Sequence, residues 1–318
     1  MHFLVTGGAG FIGSNMTDRL LSLGHKVTVY DGFITGHRQY LKEAEKNPDF
    51  NLVEARLEDE DALNEAMKGV DFVFHFSANA DVRRGLEHPL KDLEQNTVNT
   101  ARVLEAMRKN DVKRIGFSST GSVYGEAEVI PTPEDAPFPV QTSLYASSKL
   151  AGEGMIESYC EGYGFQGYIF RFVSILGERY PHGHVYDFYK KLKNDPDNLY
   201  VLGDGHQKKS YLYVGDCLDA ILTVIEKCQD KINIYNLGTD EYCEVNDSIR
   251  WITQRMGLSP KLSYSGGSRG WIGDNPFIYL DTKKVRSLGW KPKYSIEQAV
   301  VKTVEYIMDN EWILAEEL

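Results

Sequence analysis

The chain has 318 residues, 42% apolar and 25% charged, enough to bury a large core and to build two lobes. Its formal net charge of −11 argues against nucleic acid or an anionic membrane surface as a main partner, while leaving room for a local basic pocket. Cys160, Cys217, Cys228 and Cys243 form no CxxC pair, and so long a chain needs no disulfide framework; they read as reduced thiols of a cytoplasmic protein.

In chain order the first run is FLVT (3–6), part of a strand beginning at residue 2, so no signal peptide is expected. No apolar run approaches the ~20 residues of a membrane span. The stretch TGGAGFIG (6–13) follows and opens a helix near Phe11. The runs KVTVYD (26–31), FNLVEARL (50–57), VDFVFHFSA (70–78), RIGFSS (114–119) and GYIFRFVSI (167–175) alternate with helices starting near Asp59, Pro89 and Ser143. Apolar runs separated by helices predict a parallel sheet covered on both faces, an α/β, Rossmann-type doubly wound fold. The helix over 144–163 is long and rich in small residues.

After about residue 176 the pattern loosens. It reads as a helix over 184–194, a strand end running into a helix over 211–228, a strand over 232–239, a glycine-rich loop over 265–275 and a last helix over 295–310. We expect a Rossmann domain over 1–175, with segments near 210–240 returning to it, and a smaller, mixed C-terminal substrate lobe over 176–318. In open α/β sheets, ligands sit at the carboxyl ends of the strands.

Residues 6–13 contain two overlapping spacings, GxGxxG from Gly8 and GxxGxxG from Gly7. Between a strand and a helix, such glycines allow a tight turn and let backbone amides approach a pyrophosphate. Asp31 ends the second strand, where a carboxylate can accept hydrogen bonds from an adenosine ribose and repels a 2′-phosphate, which favours NAD over NADP. Arg56 ends the third run near where an adenine ring should lie. It reads either as a stacking partner of that ring or as a solvated charge.

The strongest chemical signal is Tyr145-Ala-Ser-Ser-Lys149, with Tyr145 and Lys149 one turn apart on one helix face. A free tyrosine is only ~0.1% ionised at pH 7. A fixed ammonium and a positive nicotinamide ring would favour the phenolate, and lowering its pKa by about three units needs ~4 kcal/mol. Such a phenolate can take a proton from a substrate hydroxyl as hydride leaves the same carbon. Upstream, Ser118, Ser119 and Thr120 offer hydroxyls that could hold the substrate oxygen opposite Tyr145, although each alone also reads as a strand-end hydrogen-bonder.

TGGAGFIG, FSSTGSVYGE (117–126) and YASSK (145–149), with KKSYLYVGDC (208–217) and the late GWIGDNP loop, closely resemble the extended short-chain dehydrogenase/reductase family of nucleotide-sugar epimerases and dehydratases. The resemblance runs through almost the whole chain. It implies NAD held by the Gly7, Gly10 and Gly13 set, with the amides of Phe11 and Ile12 at the pyrophosphate and Asp31 at the ribose. It puts Arg56 and Leu57 near the adenine, and Ser77, Ala78, Asn96 and Ser118 at the cofactor. It implies Tyr145 as base, Lys149 as its partner on the nicotinamide ribose, Thr120 as the catalytic hydroxyl and a nucleotide-diphosphate sugar as substrate. It also implies a homodimer whose four-helix interface is built from helices over 90–109 and 144–163, with the small residues of 146–154 allowing close packing.

The chain departs from the family at several positions. The family's aspartate near the adenine is Arg56 here, and its substrate-binding asparagine is Ser174. Its diphosphate-binding arginine is Lys209, which keeps the charge and loses the bidentate fork. Its late arginine is replaced by Trp271, with Arg269 two residues earlier. Arg83, in ADVRRG with Arg84, reads either as a contact to a sugar carboxylate or as a loop charge. His182 and His184 are spaced like metal ligands, yet no third ligand matches them, so no metal is expected. The family's 4,6-dehydratases carry an Asp-Glu pair after the catalytic threonine, and its decarboxylases usually carry Glu at the second of those positions. Gly121 and Ser122 stand there in this chain, which disfavours both reactions and leaves 4-epimerisation through a transient 4-keto sugar, with a 4-ketoreductase as the alternative.

Overall fold

The computed structural model describes residues 1–79, 85–267 and 277–315. The chain forms two compact units: the first holds 1–123, 143–171 and 221–235, and the second holds 124–142, 172–220 and 236–318.

The elements run β1 (His2–Thr6), α1 (Phe11–Ser22), β2 (Lys26–Asp31), β3 (Phe50–Glu54), α2 (Glu60–Ala66), β4 (Phe72–His75), α3 (Pro89–Asp92), α4 (Asn99–Lys109), β5 (Arg114–Thr120), α5 (Leu144–Tyr163), β6 (Gln166–Phe172) and β7 (Ser174–Leu176). There follow α6 (His184–Asn194), β8 (Asn198–Val201), β9 (Lys208–Lys209), β10 (Tyr211–Tyr213), α7 (Val214–Lys227), β11 (Ile232–Leu237), β12 (Cys243–Glu244), α8 (Val245–Met256), β13 (Lys261–Tyr264), α9 (Lys283–Ser287) and α10 (Ile296–Asp309). The run expected as one strand over 167–175 is two, parted at Val173.

The first unit is built on a seven-stranded sheet of order β11-β6-β5-β4-β1-β2-β3. β1 pairs parallel with both β2 and β4, while β2–β3 and β4–β5 are also parallel. This is the doubly wound arrangement expected from the alternating pattern, and strand order reverses between β1 and β4. Central strands are buried on both faces; β3, at the edge, is half-exposed. Leu4, Val73, Ile115 and Ile169 from the strands meet Leu63, Leu104, Met107 and Ile156 from the helices in one apolar core.

A segment read as one helix from Pro89 is three pieces: α3, a π-helical stretch over Leu93–Val98, and α4. The wider π turn lets Asn96 and Thr97 both reach α5, where they bond the Ser148 hydroxyl and carbonyl at 2.9 and 3.2 Å. In the second unit, β10 pairs with β7, β9 with β12 and β13 with β8. Asp216 fixes the approach to α10 by accepting the amides of Lys293 and Tyr294 at 2.9 and 3.1 Å, while its carbonyl accepts the Trp290 indole N–H.

Candidate active site

The glycine loop lies at the switch point of the sheet. Gly7 has φ +67°, and a Cβ there would stand 2.7 Å from the Ser77 amide nitrogen, so the loop and the chain leaving β4 touch backbone to backbone. At Gly13 a Cβ would stand 2.1 Å from the Gly7 carbonyl oxygen. Gly10 caps α1 without a side-chain hydrogen bond, and the first turn carries no acid, so the amides at Phe11 and Ile12 face an uncapped helix end. Gly8 is also required, for packing: a Cβ there would meet Val29 at 2.7 Å. A loop with no room for side chains, ending at an uncapped helix N-terminus, fits a dinucleotide pyrophosphate.

Asp31 ends β2 and is 8% exposed. Burial raises its pKa, and the amides of Ala9 and Phe33, donating at 2.9 and 2.8 Å, oppose that rise. The carboxylate thus ties the glycine loop to the turn after β2, beside the crevice where a ribose would lie. Arg56 is exposed, 3.6 Å from Glu58, and its side chain lies against Gly32, just past the end of β2. Leu57 is 5% exposed and its side chain belongs to the apolar core, so only its backbone is left to meet a cofactor. Ser77 and Ala78 are partly exposed next to Gly7.

The reactive pair stands at the start of α5. Ser143 caps that helix by accepting the Ala146 amide at 3.1 Å, and Gly164 ends it in the left-handed conformation. Ala146, Ser148, Lys149, Gly152, Glu153, Ile156 and Cys160 form its buried face; Gly152 lies against the Phe117 ring. The small residues Ala146, Ser148 and Gly152 therefore pack inward, and Ser147, Ala151, Gly154 and Ser158 face out. Of the small residues in 146–154, then, Ser147, Ala151 and Gly154 are the ones left for packing against a partner.

Lys149 is 2% exposed; its Nζ donates to the Ser118 carbonyl at 2.9 Å and sits 4.7 Å from the centre of the Phe117 ring. Burial pulls its pKa down to about 7, against the pull of Glu153 and Asp92. Tyr145 is partly exposed, and burial, then Asp92, raises its pKa above the ordinary tyrosine range. The expected lowering rested on the Lys149 ammonium together with a nicotinamide ring, and in the ligand-free chain the burial of Tyr145 works against it. The Thr120 hydroxyl accepts the Ser122 amide and donates to the Ser122 hydroxyl, both at 3.1 Å, which seats it at the turn after β5.

Ser118 contributes its carbonyl to Lys149, while its hydroxyl leans on the His75 carbonyl at 3.4 Å. The Asn96 side chain is bonded within the protein. It accepts the Asn79 amide at 2.7 Å and donates to Ser148 at 2.9 Å, so it is a positioning residue between the loop after β4 and α5. Two features have no sequence signal of their own: the buried Arg171–Glu153 ion pair at 2.7 Å, and Asp92, 1% exposed, bonded by Asn79 at 2.8 Å.

In the second unit Ser174 is exposed on β7 and pairs with Tyr211; Lys209 is two residues before it. His184 stacks on Tyr211 at 4.6 Å, and burial, with Lys209 nearby, lowers its pKa to about 3. Among the described residues no cluster of three or more His, Cys, Asp or Glu is arranged to hold a metal. Arg83, Arg269 and Trp271 lie outside the described residues. Among those described, no helix is long and apolar enough to cross a membrane.

Comparison with known proteins agrees with this architecture. Residues 3–238 match the model of the NAD dependent epimerase/dehydratase family. A UDP-glucose 4-epimerase of Mycolicibacterium smegmatis is 30% identical over 98% of this chain and 99% of its own length. A UDP-N-acetyl-alpha-D-glucosaminuronate decarboxylase of Bacillus cytotoxicus is 28% identical over 97% of this chain and 98% of its own. A crystal structure of a UDP-galactose 4-epimerase superposes with a TM-score of 0.88 at 36% identity, covering 98% of this chain and all of the other. With a glycine cradle shaped for a dinucleotide and relatives matched end to end, the chain belongs to the NAD-dependent epimerase/dehydratase family, in the extended short-chain dehydrogenase/reductase group of nucleotide-sugar epimerases, and its cofactor is NAD.

Proposed function

We propose that the protein interconverts UDP-hexoses by inverting carbon 4 through a transient 4-keto sugar. One observation carries this reading: Lys149, one helical turn after Tyr145, bonds the carbonyl of Ser118, two residues before Thr120, while the two positions after Thr120 are Gly121 and Ser122, which lack acid–base side chains. Thr120, Tyr145 and Lys149 suffice for alcohol oxidation and its reversal. They supply neither the carboxyl pair for dehydration nor the glutamate usual in decarboxylation.

NAD, when bound, supplies the hydride acceptor and donor and a positive ring beside Tyr145. Thr120 holds the O4 oxygen by hydrogen bond. Tyr145, as phenolate, would accept the O4 proton and later return it to O4, with NAD supplying the hydride acceptor and donor for carbon 4. Lys149, as ammonium, stabilises the phenolate. Burial raises the Tyr145 pKa in the free chain, and the positive charge of the nicotinamide ring would act with Lys149 against that rise. Gly7, Gly10 and Gly13 admit the pyrophosphate, Phe11 and Ile12 donate amides to it, and Asp31 accepts the ribose hydroxyls. Arg56 stacks on the adenine. Ser174 and Lys209 contact the sugar nucleotide, with Arg83 and Arg269 as further contacts.

We further propose a homodimer through the faces of α4 and α5, in the cytoplasm. Leu90 on α3, Leu93 on the π-helical stretch that leads into α4 and Leu144 at the start of α5 are 63%, 49% and 38% exposed, an apolar cost that a partner would remove. All four cysteines are unpaired and buried, which suits a reducing compartment.

Incubation with a panel of UDP-, GDP- and dTDP-sugars, followed by NMR, tests the reaction. C4 epimers of a UDP-hexose, with no net change in reduced cofactor, are expected. A 4-keto-6-deoxy product, or steady consumption of reduced cofactor, would overturn the reading.

A further inference from the structure

Lys149 must be charged to stabilise a phenolate, and nothing about its surroundings makes that automatic. It is 2% exposed, on the buried face of α5, with one hydrogen bond to a neutral carbonyl. An ammonium in so dry a site loses its proton readily. The charged and titratable groups facing it come from four elements. Tyr145 and Glu153 lie on α5 itself, Asp92 on α3, and His75 on β4. Arg171 on β6 acts through Glu153. His75, hydrogen-bonded to Thr6 and Thr100 at 2.7 and 3.0 Å, is held neutral by burial, its pKa lowered to about 3.

Glu153 stands one turn beyond Lys149 on the same face and is 1% exposed. Its two oxygens are clamped by Arg171, whose Nη2 donates at 2.7 Å and whose Nε donates at 3.1 and 3.2 Å. The Ser119 hydroxyl donates to it as well. Ser119 lies between Ser118, which accepts the Lys149 ammonium, and Thr120. The carboxylate therefore grips the end of β5 and anchors α5 against it. If Arg171 existed only to satisfy Glu153, an apolar pair would be as stable a filling for this site, because buried ion pairs add little net stability. A carboxylate retained within a turn of a buried ammonium has a further use.

We propose that Glu153, clamped by Arg171 and Ser119, is a positioning residue that keeps Lys149 charged and fixes α5 against the Thr120 end of β5. The proposal rests on the reaction assigned above. Burial pulls Lys149 down to about 7, and Glu153 is the foremost group opposing that fall, ahead of Asp92.

The test reads Lys149 directly, by NMR titration of the protein carrying isotope-labelled lysine, its signal assigned with Lys149→Arg. In the unmodified protein the midpoint should lie near 7 or above; a midpoint near 5–6, as for an unassisted buried lysine, would overturn the proposal. Glu153→Gln combined with Arg171→Met removes both buried charges, so neither is left unpaired. Losing the carboxylate lowers the midpoint and losing the guanidinium raises it, so Glu153→Gln alone should lower the midpoint by about one pH unit, a tenfold loss of ammonium at a given pH, and the double variant by less. Asp92→Asn should lower it less, and Glu153→Asp, which keeps the charge, should largely restore it. An unmoved midpoint in Glu153→Gln, or a larger fall in Asp92→Asn, would overturn the assignment. The titration needs no substrate, so its outcome stands apart from that of the sugar panel. With substrate, the double variant should lose kcat most at alkaline pH, with KM unchanged.

Discussion

Tyr145→Phe removes the one hydroxyl placed to exchange a proton with the substrate and leaves the packing of α5 alone. Turnover should fall at least about 100-fold, with NAD binding retained; retained turnover would remove Tyr145 from the chemistry. Asp31→Asn loses the charge that would accept ribose hydroxyls and one of the two oxygens that accept the Ala9 and Phe33 amides. Calorimetry should show NAD binding roughly tenfold weaker, with discrimination against NADP reduced. These residues were singled out because each carries its functional group next to a recognisable neighbour in the chain. Glu153 and Arg171 were not, since they meet only when α5 packs on β6, 18 positions apart. Asn96 was legible as a polar residue near the cofactor, but its bonds to Asn79 and Ser148 give it a different task.

At the scale of elements, α1 depends on the approach of Gly13 to the Gly7 carbonyl, 2.1 Å from where a Cβ would be. Gly13→Ala must push the helix off the loop. Thermal denaturation should show a loss of about 1–3 kcal/mol, together with weakened NAD binding. A second link joins α4 to α5: Glu105, hydrogen-bonded by Arg108 and then by Tyr159, has its pKa lowered to about 2. Because the folded pKa lies below the unfolded one, this contribution is complete above the ordinary value of about 4.5 and disappears as pH falls towards 2. The group is partly exposed, so the effect is modest, below ~1 kcal/mol. The Tm difference between the protein and Glu105→Gln should shrink as pH falls from 5 to 2; a constant difference would refute the link. Most elements could be read from periodicity: α6 follows the apolar face of HVYDFYKKLKN residue for residue. The π-helical stretch at 93–98 could not, because its wider turn is imposed by the bonds of Asn96 and Thr97 to α5.

For the molecule as a whole, the parallel, doubly wound character of the sheet followed from alternating strands and helices, since parallel strands need crossovers. The assignment of 124–142 to the second unit had no such signal. It is fixed by long-range bonds, such as Tyr124 to the Asn236 side chain at 2.9 Å and the Asn236 amide to Glu134 at 2.9 Å. Sedimentation at micromolar concentration should give twice the chain mass, and a charged residue at Leu90 or Leu93 should shift the protein towards monomer. A monomeric parent protein would remove the proposed interface.

The central claim is that hydride leaves and returns to the same carbon on opposite faces. Its most direct test is proton NMR of purified protein, carrying its own NAD, mixed with UDP-glucose. UDP-galactose at equilibrium with UDP-glucose is expected, with no other sugar product and no net reduced cofactor. A 4-keto-6-deoxy sugar, a decarboxylated product from the corresponding uronate without any C4 epimer, or stoichiometric use of reduced cofactor would contradict it.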